Sequence, residues 1–264
     1  MKTYSFWSSK IVQIKVGNGN RSFSLLRGSN VSYEDSLIEV DKCAKLIEDR
    51  ISSNGKIVDY EVDIKEFVIN KINTDNVVTV CRYGAVIWNT TKYSIYDLDD
   101  YRWEFLDLFR SYKGMSQKEI IVHKFKLNVS KCRELGDSFR IYETCKGVRV
   151  IGKRYIDPSS GAFQIMMRRL NVDWLYLIMC KRQMCYRARL SPKPFRMAIE
   201  SIKIKSPLDC LSEKYKNWSN RYFSESEKYS VARLWESIGE DFSMDHEIVL
   251  HDKMTNSISG LKLA

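Results

Sequence analysis

The sequence predicts an α+β protein with a βαββαβ core, an α/β extension before it and helices after it. Between Ser94 and Leu190, six segments read in the order strand, helix, strand, strand, helix, strand. Alternating runs at residues 139–144 and 148–156 flank Cys145-Lys146-Gly147, the mark of a tight hairpin. Outside that region apolar residues recur at helical spacing, at residues 33–52 on one side and 208–238 on the other.

The extension is expected over residues 1–76, the core over 77–205 and the C-terminal helical segment over 206–264. Residues 11–16 and 22–27 read as a hairpin around Gly17-Asn18-Gly19-Asn20. Leu37, Val40, Ala44, Ile47 and Ile51 form the stripe of a helix entered through Ser32 and stopped by Ser52-Ser53-Asn54-Gly55. A short helix is expected over residues 64–72, and strands over 77–90. Arg27-Gly28-Ser29-Asn30 reads as a turn rather than a phosphate loop.

In the first core strand, residues 93–99, Asp97 and Asp99 project to one face with Cα atoms about 7 Å apart. A helix is expected to start near Trp103, where the acidic turn 97–100 would suit its N-terminus. In the hairpin, Arg140, Tyr142 and Thr144 share one face, and Gly147 is expected to supply a positive φ. Ser159-Ser160 caps a helix that turns Phe163, Met166, Met167 and Leu170 inward, and Trp174, Tyr176 and Leu177 mark a short turn under the sheet. Pro192 and Pro194 end the last strand in an extended loop, and the run 208–238 reads as two helices broken near Ser224. The ending Leu261-Lys262-Leu263-Ala264 is apolar enough to dock on the body.

Two neighbouring carboxylates repel unless a cation or a basic side chain lies between them. Mg2+ or Mn2+ suits such a pair, since both take hard oxygen ligands. Arg149, on the second hairpin strand, would either reach a phosphate beside the acids or pair with Asp97 or Asp99 and neutralise them. The chain carries 43 Lys and Arg against 33 Asp and Glu, a net charge of +10. Residues 131–205 alone hold 17 basic and 6 acidic side chains, so the excess is concentrated in the second half of the core and points to a polyanionic partner. Arg140, Lys146, Arg187, Arg189, Lys193 and Arg196 are the candidate phosphate ligands, with Tyr186 and Phe195 interleaved as candidate stacking partners for bases.

The order of an Asp-x-Asp strand, a Tyr-x-Thr-x-x-Gly-x-Arg hairpin and a later lone Asp resembles the catalytic core of archaeo-eukaryotic primases and primase-polymerases. That resemblance covers roughly residues 77–205 and implies an RRM-like or ferredoxin-like sheet, nucleotidyl transfer, and a divalent metal on Asp97, Asp99 and Asp173. Arg149 stands where the family has a histidine for the nucleotide phosphates, a departure that bears on catalysis more than on fold. The whole chain also resembles a family of uncharacterised bacterial proteins, through Tyr83-Gly84-Ala85, Asn89-Thr90, the Asp97/Asp99 strand, the 140–150 hairpin, the stretch 187–196 and the C-terminal stretches 250–255 and 259–264. That likeness implies relatives and no mechanism.

No apolar run has the length of a membrane span, no secretion signal opens the chain, and seven scattered cysteines fit a reducing cytosol, so a cytoplasmic protein is expected. Cys180 and Cys185 lack the further ligands of a zinc site, and the three histidines form no metal pair. His251-Asp252 reads as a dyad on paper only, because adjacent helical positions point different ways. The expectation is a nucleic-acid or nucleotide binding protein, with Asp97, Asp99 and Arg149 as its catalytic residues if it transfers phosphoryl or nucleotidyl groups. Its rivals are a catalytically inactive binding module and a protein-interaction subunit of a larger assembly.

Overall fold

The computed structural model describes residues 1–16, 19–52, 64–105, 107 and 112–264. Two long strands, β1 (Phe6–Val16) and β2 (Gly19–Ser29), pair antiparallel from Phe6 opposite Ser29 to Val16 opposite Gly19. The helix α1 (Tyr33–Ser52) lies on them, burying Val40 and Cys43 against Leu25. Ser32 caps it as expected, accepting a hydrogen bond from the Asp35 amide at 3.1 Å. The expected hairpin tip at Gly17-Asn18 and helix stop at Ser53-Asn54-Gly55 lie outside the described residues.

Along the rest of the chain come β3 (Phe67–Lys71), β4 (Asn76–Val80), β5 (Val86–Thr90), β6 (Ser94–Leu98), α2 (Gln117–Val129), β7 (Phe139–Thr144), β8 (Val148–Gly152), α3 (Gly161–Arg169), α4 (Trp174–Gln183) and β9 (Tyr186–Arg189). They are followed by α5 (Glu213–Ser226), β10 (Tyr229–Ser230), β11 (Ala232–Ile238), α6 (His246–Met254) and β12 (Lys262–Leu263). The α+β class therefore holds, with two four-stranded antiparallel sheets at its centre, ordered β3-β4-β5-β9 and β11-β7-β8-β6. Among the described residues no helix is long and apolar enough to cross a membrane.

Within the second sheet, β6, β8 and β7 lie side by side in the order that three strands of a βαββαβ unit take, first beside third beside second. The fourth, β9, departs from the expected closure, because its ladder runs to β5 from Ile87 opposite Arg189 to Thr90 opposite Tyr186. Between β6 and β9 stands the phenol of Tyr176, which donates to the Ile95 carbonyl at 3.1 Å and accepts from the Arg187 amide at 3.3 Å. One side-chain hydroxyl thus satisfies backbone groups of both strands where a continuous sheet would pair them directly.

Four local expectations are corrected. Residues 64–72 are not helical: β3 pairs with β4 and bulges at Ile69, which breaks the strict alternation that would have marked a strand. Residues 101–104 are not helical where a helix is expected to start, most of 106–111 lies outside the described residues, and α2 starts at Gln117, where Ser116 and Glu119 close a reciprocal capping box. The short turn at Trp174 is a full helix, capped by Asp173 and stopped by Met184 at φ 53°. Only the first part of 208–238 is helical; β10 follows α5, and β11 adds an edge strand to β7, skipping Trp235 at a bulge.

The main apolar core lies between the sheets and the helices. Ile95, Tyr96, Phe125, Phe139, Ile141, Val150, Phe163, Met167 and Tyr186 are all buried in it, so the methionines pack there as the sequence reading has them. The boundary expected between residues 76 and 77 falls inside β4, which pairs with β3 in one sheet. Arg187 on β9 strengthens that tie, donating to both Glu66 oxygens at 2.7 and 2.6 Å while Thr79 donates to Glu66 Oε2 at 2.6 Å.

Gly147 does not have the positive φ expected of it. Its role is a close approach, since a Cβ there would sit 2.2 Å from the Leu98 carbonyl oxygen and 2.8 Å from the Asp99 Cα. The β7–β8 turn is in this way pressed on the backbone that carries the acids. Gly147→Ala is expected to cost roughly 1–3 kcal/mol by overpacking against immovable main chain, read as a lower urea midpoint with an unchanged slope. A midpoint equal to wild type would show that the turn can back away.

Candidate functional site

Asp97 lies near the end of β6, directly opposite Arg149 on β8, so both side chains project from the same face of the sheet. Its carbonyl accepts from the Asp173 amide at 3.0 Å, which fixes the start of α4 beside the strand. Asp99 follows just beyond β6 and pairs with Lys146, from the β7–β8 turn, at 2.7 Å. Asp173 caps α4, its Oδ1 accepting from the Tyr176 amide at 2.7 Å. The three acids named from the sequence are therefore brought to one place.

Asp97 is partly buried and its carboxylate accepts no hydrogen bond from the described residues. Burial pushes its pKa above the ordinary value; Arg149 opposes that rise, Asp99 adds to it, and Arg189 and Asp173 act in the same opposed senses more weakly. Arg149 and Asp97 do not form an ion pair, so this attraction acts across a gap. The arginine is 4% exposed and is held from behind. It donates to the Arg189 carbonyl at 2.9 Å and lies 3.4 Å from His251 Nε2.

Behind Arg149 runs a polar chain that the sequence reading set aside. His251 and Asp252, on α6, do meet: Nδ1 is 2.9 Å from Asp252 Oδ1. Asp252 also accepts from the Tyr142 hydroxyl at 2.8 Å and from Arg140 at 2.6 Å, and Arg140 Nε donates to the Tyr142 oxygen at 2.7 Å. Burial holds the His251 pKa below its usual value, against the pull of Asp252. A neutral imidazole with its Nδ1 proton on Asp252 leaves Nε2 as an acceptor toward Arg149. The clue in the sequence is that Arg140 and Tyr142 share a face of β7, which calls for an acidic partner; adjacency on the helix hid which one.

The other basic residues divide into two groups. Arg140 and Arg187 are engaged with Asp252 and Glu66, and Tyr186 is fully buried with its hydroxyl on the Ile156 carbonyl at 2.7 Å, so none of the three faces a ligand. Lys146 sits on Asp99, Lys193 and Arg189 lie near Asp97, with Arg189 also interacting with the Tyr83 phenol, and Arg196 lies near Lys193. Arg189 has a buried Nε with no hydrogen-bond partner. Desolvation, together with repulsion from Arg189 and Arg196, lowers the Lys193 pKa, while Asp99 and Asp97 pull it back. Phe195, between them, is 65% exposed, with Lys193 Nζ 5.8 Å and the Arg196 guanidinium 6.0 Å from its ring centre. Trp174, next to Asp173, is also exposed.

Among the described residues no group of three or more His, Cys, Asp or Glu is placed to hold a metal ion. The free carboxylate of Asp97 and the half-exposed one of Asp99 are nevertheless hard oxygen donors of the kind Mg2+ accepts. No family model, no curated protein and no solved structure matches the chain.

Proposed function

We propose that the region between β6 and the segment from β9 to Arg196 binds a phosphate-bearing ligand, a nucleotide or a single-stranded nucleic acid. One observation carries this reading: an unpartnered carboxylate, Asp97, and an unpartnered buried donor, Arg189 Nε, lie close enough to act on each other electrostatically, with Lys193 near both and Lys146 on Asp99. Buried polar atoms without partners cost free energy, and a polar ligand would satisfy them. Exposed Phe195, between two cations, offers a face on which an unpaired base stacks while its phosphate meets Lys193 or Arg196. Arg149, held by the Arg189 carbonyl and His251, acts as a fixed positive charge across the sheet from Asp97, which favours binding over turnover.

A divalent cation, if the ligand brings one, would be held by Asp97 and Asp99 together with the ligand's own phosphate oxygens, and would supply charge neutralisation to the phosphates. The experiment is a titration of a labelled single-stranded oligonucleotide, followed by anisotropy between 50 and 200 mM salt, with and without Mg2+. Three phosphate contacts, from Arg189, Lys193 and Arg196, imply a log-log slope of about −2. A slope indistinguishable from zero, with these cations present, overturns the proposal. Binding that persists in chelator identifies a metal-independent module, and binding lost in chelator places the metal in the site.

Asp97→Asn separates ligand binding from folding. Because burial raises the folded pKa of Asp97, this carboxyl favours the fold below its unfolded pKa, and that contribution is lost as pH rises through the folded value. At pH 7 the amide is therefore expected to be at least as stable as wild type, with the advantage shrinking as pH falls toward 4. Urea melts at both values check the sign; an Asp97→Asn variant less stable than wild type at pH 7 contradicts it.

A further inference from the structure

A second concavity, of about 940 Å³, opens at the other end of the β7–β8–β6 sheet. It borders Phe139 and Lys153, beside the end where Ser94 and Phe139 face Gly152, whereas Asp97 faces Arg149. Three strand residues, roughly 10 Å, separate the two levels. The volume is that of a small-molecule pocket. Its floor is apolar, built from Val129, Phe139 and Ile238.

The rim holds four cations and two acids, Glu240 and the exposed Asp137, whose Oδ1 accepts from the Ser138 hydroxyl, so the cations are in excess and differ in circumstances. Lys126 and Lys153 are paired with Glu236 and Glu240 at 2.6 and 2.5 Å. Arg133 and Arg154 are exposed, and neither side chain has an acidic partner among the described residues. Gly136 brings them to the same mouth: its φ of +81° ends the turn begun at Arg133, and a Cβ there would press on the Arg154 Cβ at 3.3 Å. With no side chain at 136, the Arg154 stem lies along the backbone and the entrance stays open.

We propose that this pocket binds a small amphipathic anion, its apolar body against Val129, Phe139 and Ile238 and its carboxylate or phosphate gripped by Arg133 and Arg154. The guanidinium fork matches either head group, and the apolar floor gives the body a place to leave water. The site is separate from the acidic region and does not depend on what that region binds.

The full chain is titrated with 8-anilinonaphthalene-1-sulfonate, a flat apolar body bearing one anion, and its fluorescence is followed. Saturable binding is expected, at least tenfold weaker in the double variant Arg133→Met/Arg154→Met, lost in the filled variant Ile238→Trp, and unchanged in Asp97→Asn. Decanoate and adenosine 5′-monophosphate then compete in separate arms: displacement by the first identifies a carboxylate ligand, and by the second a nucleoside phosphate. Both rim arginines are exposed, so the double variant keeps its fold, as far-UV circular dichroism checks, whatever happens to the filled one. Probe binding as tight in the double variant as in wild type, no saturable binding, or displacement by neither competitor overturns the assignment.

Discussion

Arg149→Met is expected to lower the unfolding free energy by roughly 1–3 kcal/mol, the usual cost of leaving a buried polar group without its hydrogen-bond partner. In a chain of 264 residues that moves the thermal midpoint down by roughly 2–10 °C. Methionine keeps most of the stem volume, so the loss is electrostatic and polar rather than a cavity. Two groups are stranded: Asp97, whose opposing charge across the sheet is gone, and the Arg189 carbonyl, which loses its donor. The double variant Arg149→Met/Asp97→Asn should regain a large part of the loss, because the amide carries no charge to strand. Equal stability of the single and double variants would show that Arg149 does not act through Asp97, and that the His251–Asp252 chain alone explains its burial.

The second large effect is expected at Arg187, a residue that composition alone assigns to phosphate binding. Arg187→Met should cost roughly 3–5 kcal/mol, since Glu66 is left buried with two oxygens stripped of their arginine donor. At temperatures where the variant remains folded, its affinity for an oligonucleotide should equal that of wild type. Arg196→Met should do the reverse, weakening the ligand while leaving the unfolding free energy within about 0.5 kcal/mol of wild type, as surface changes do. If Arg187→Met instead weakens binding without touching stability, the division between inward and outward cations fails.

These two arginines show why part of the site was legible in the sequence and part was not. Asp97 and Asp99 stand out because alternation in a strand is a local property, and so does the hairpin that sets Arg149 opposite Asp97. Which cations stay available depends instead on acids far along the chain: Glu66 takes Arg187, and Asp252 takes Arg140. No local pattern announces such pairings. The misread elements have local causes. Bulges at Ile69 and Trp235 interrupt the period of two, and the apolar run from Trp174 to Met179 shows no polar face by which to recognise α4.

The phenol of Tyr176 has a mechanical meaning. The acids and Arg149 ride on one sheet; Arg189, Lys193 and Arg196 belong to the other sheet and its outgoing loop. Where those two bodies meet at β6 and β9, the Tyr176 oxygen stands where a continuous sheet would have amide rungs. Any ligand that touched carboxylates on one bank and guanidinium groups on the other would act as a rivet across this joint, and occupancy would be felt as stiffness through both halves of the molecule.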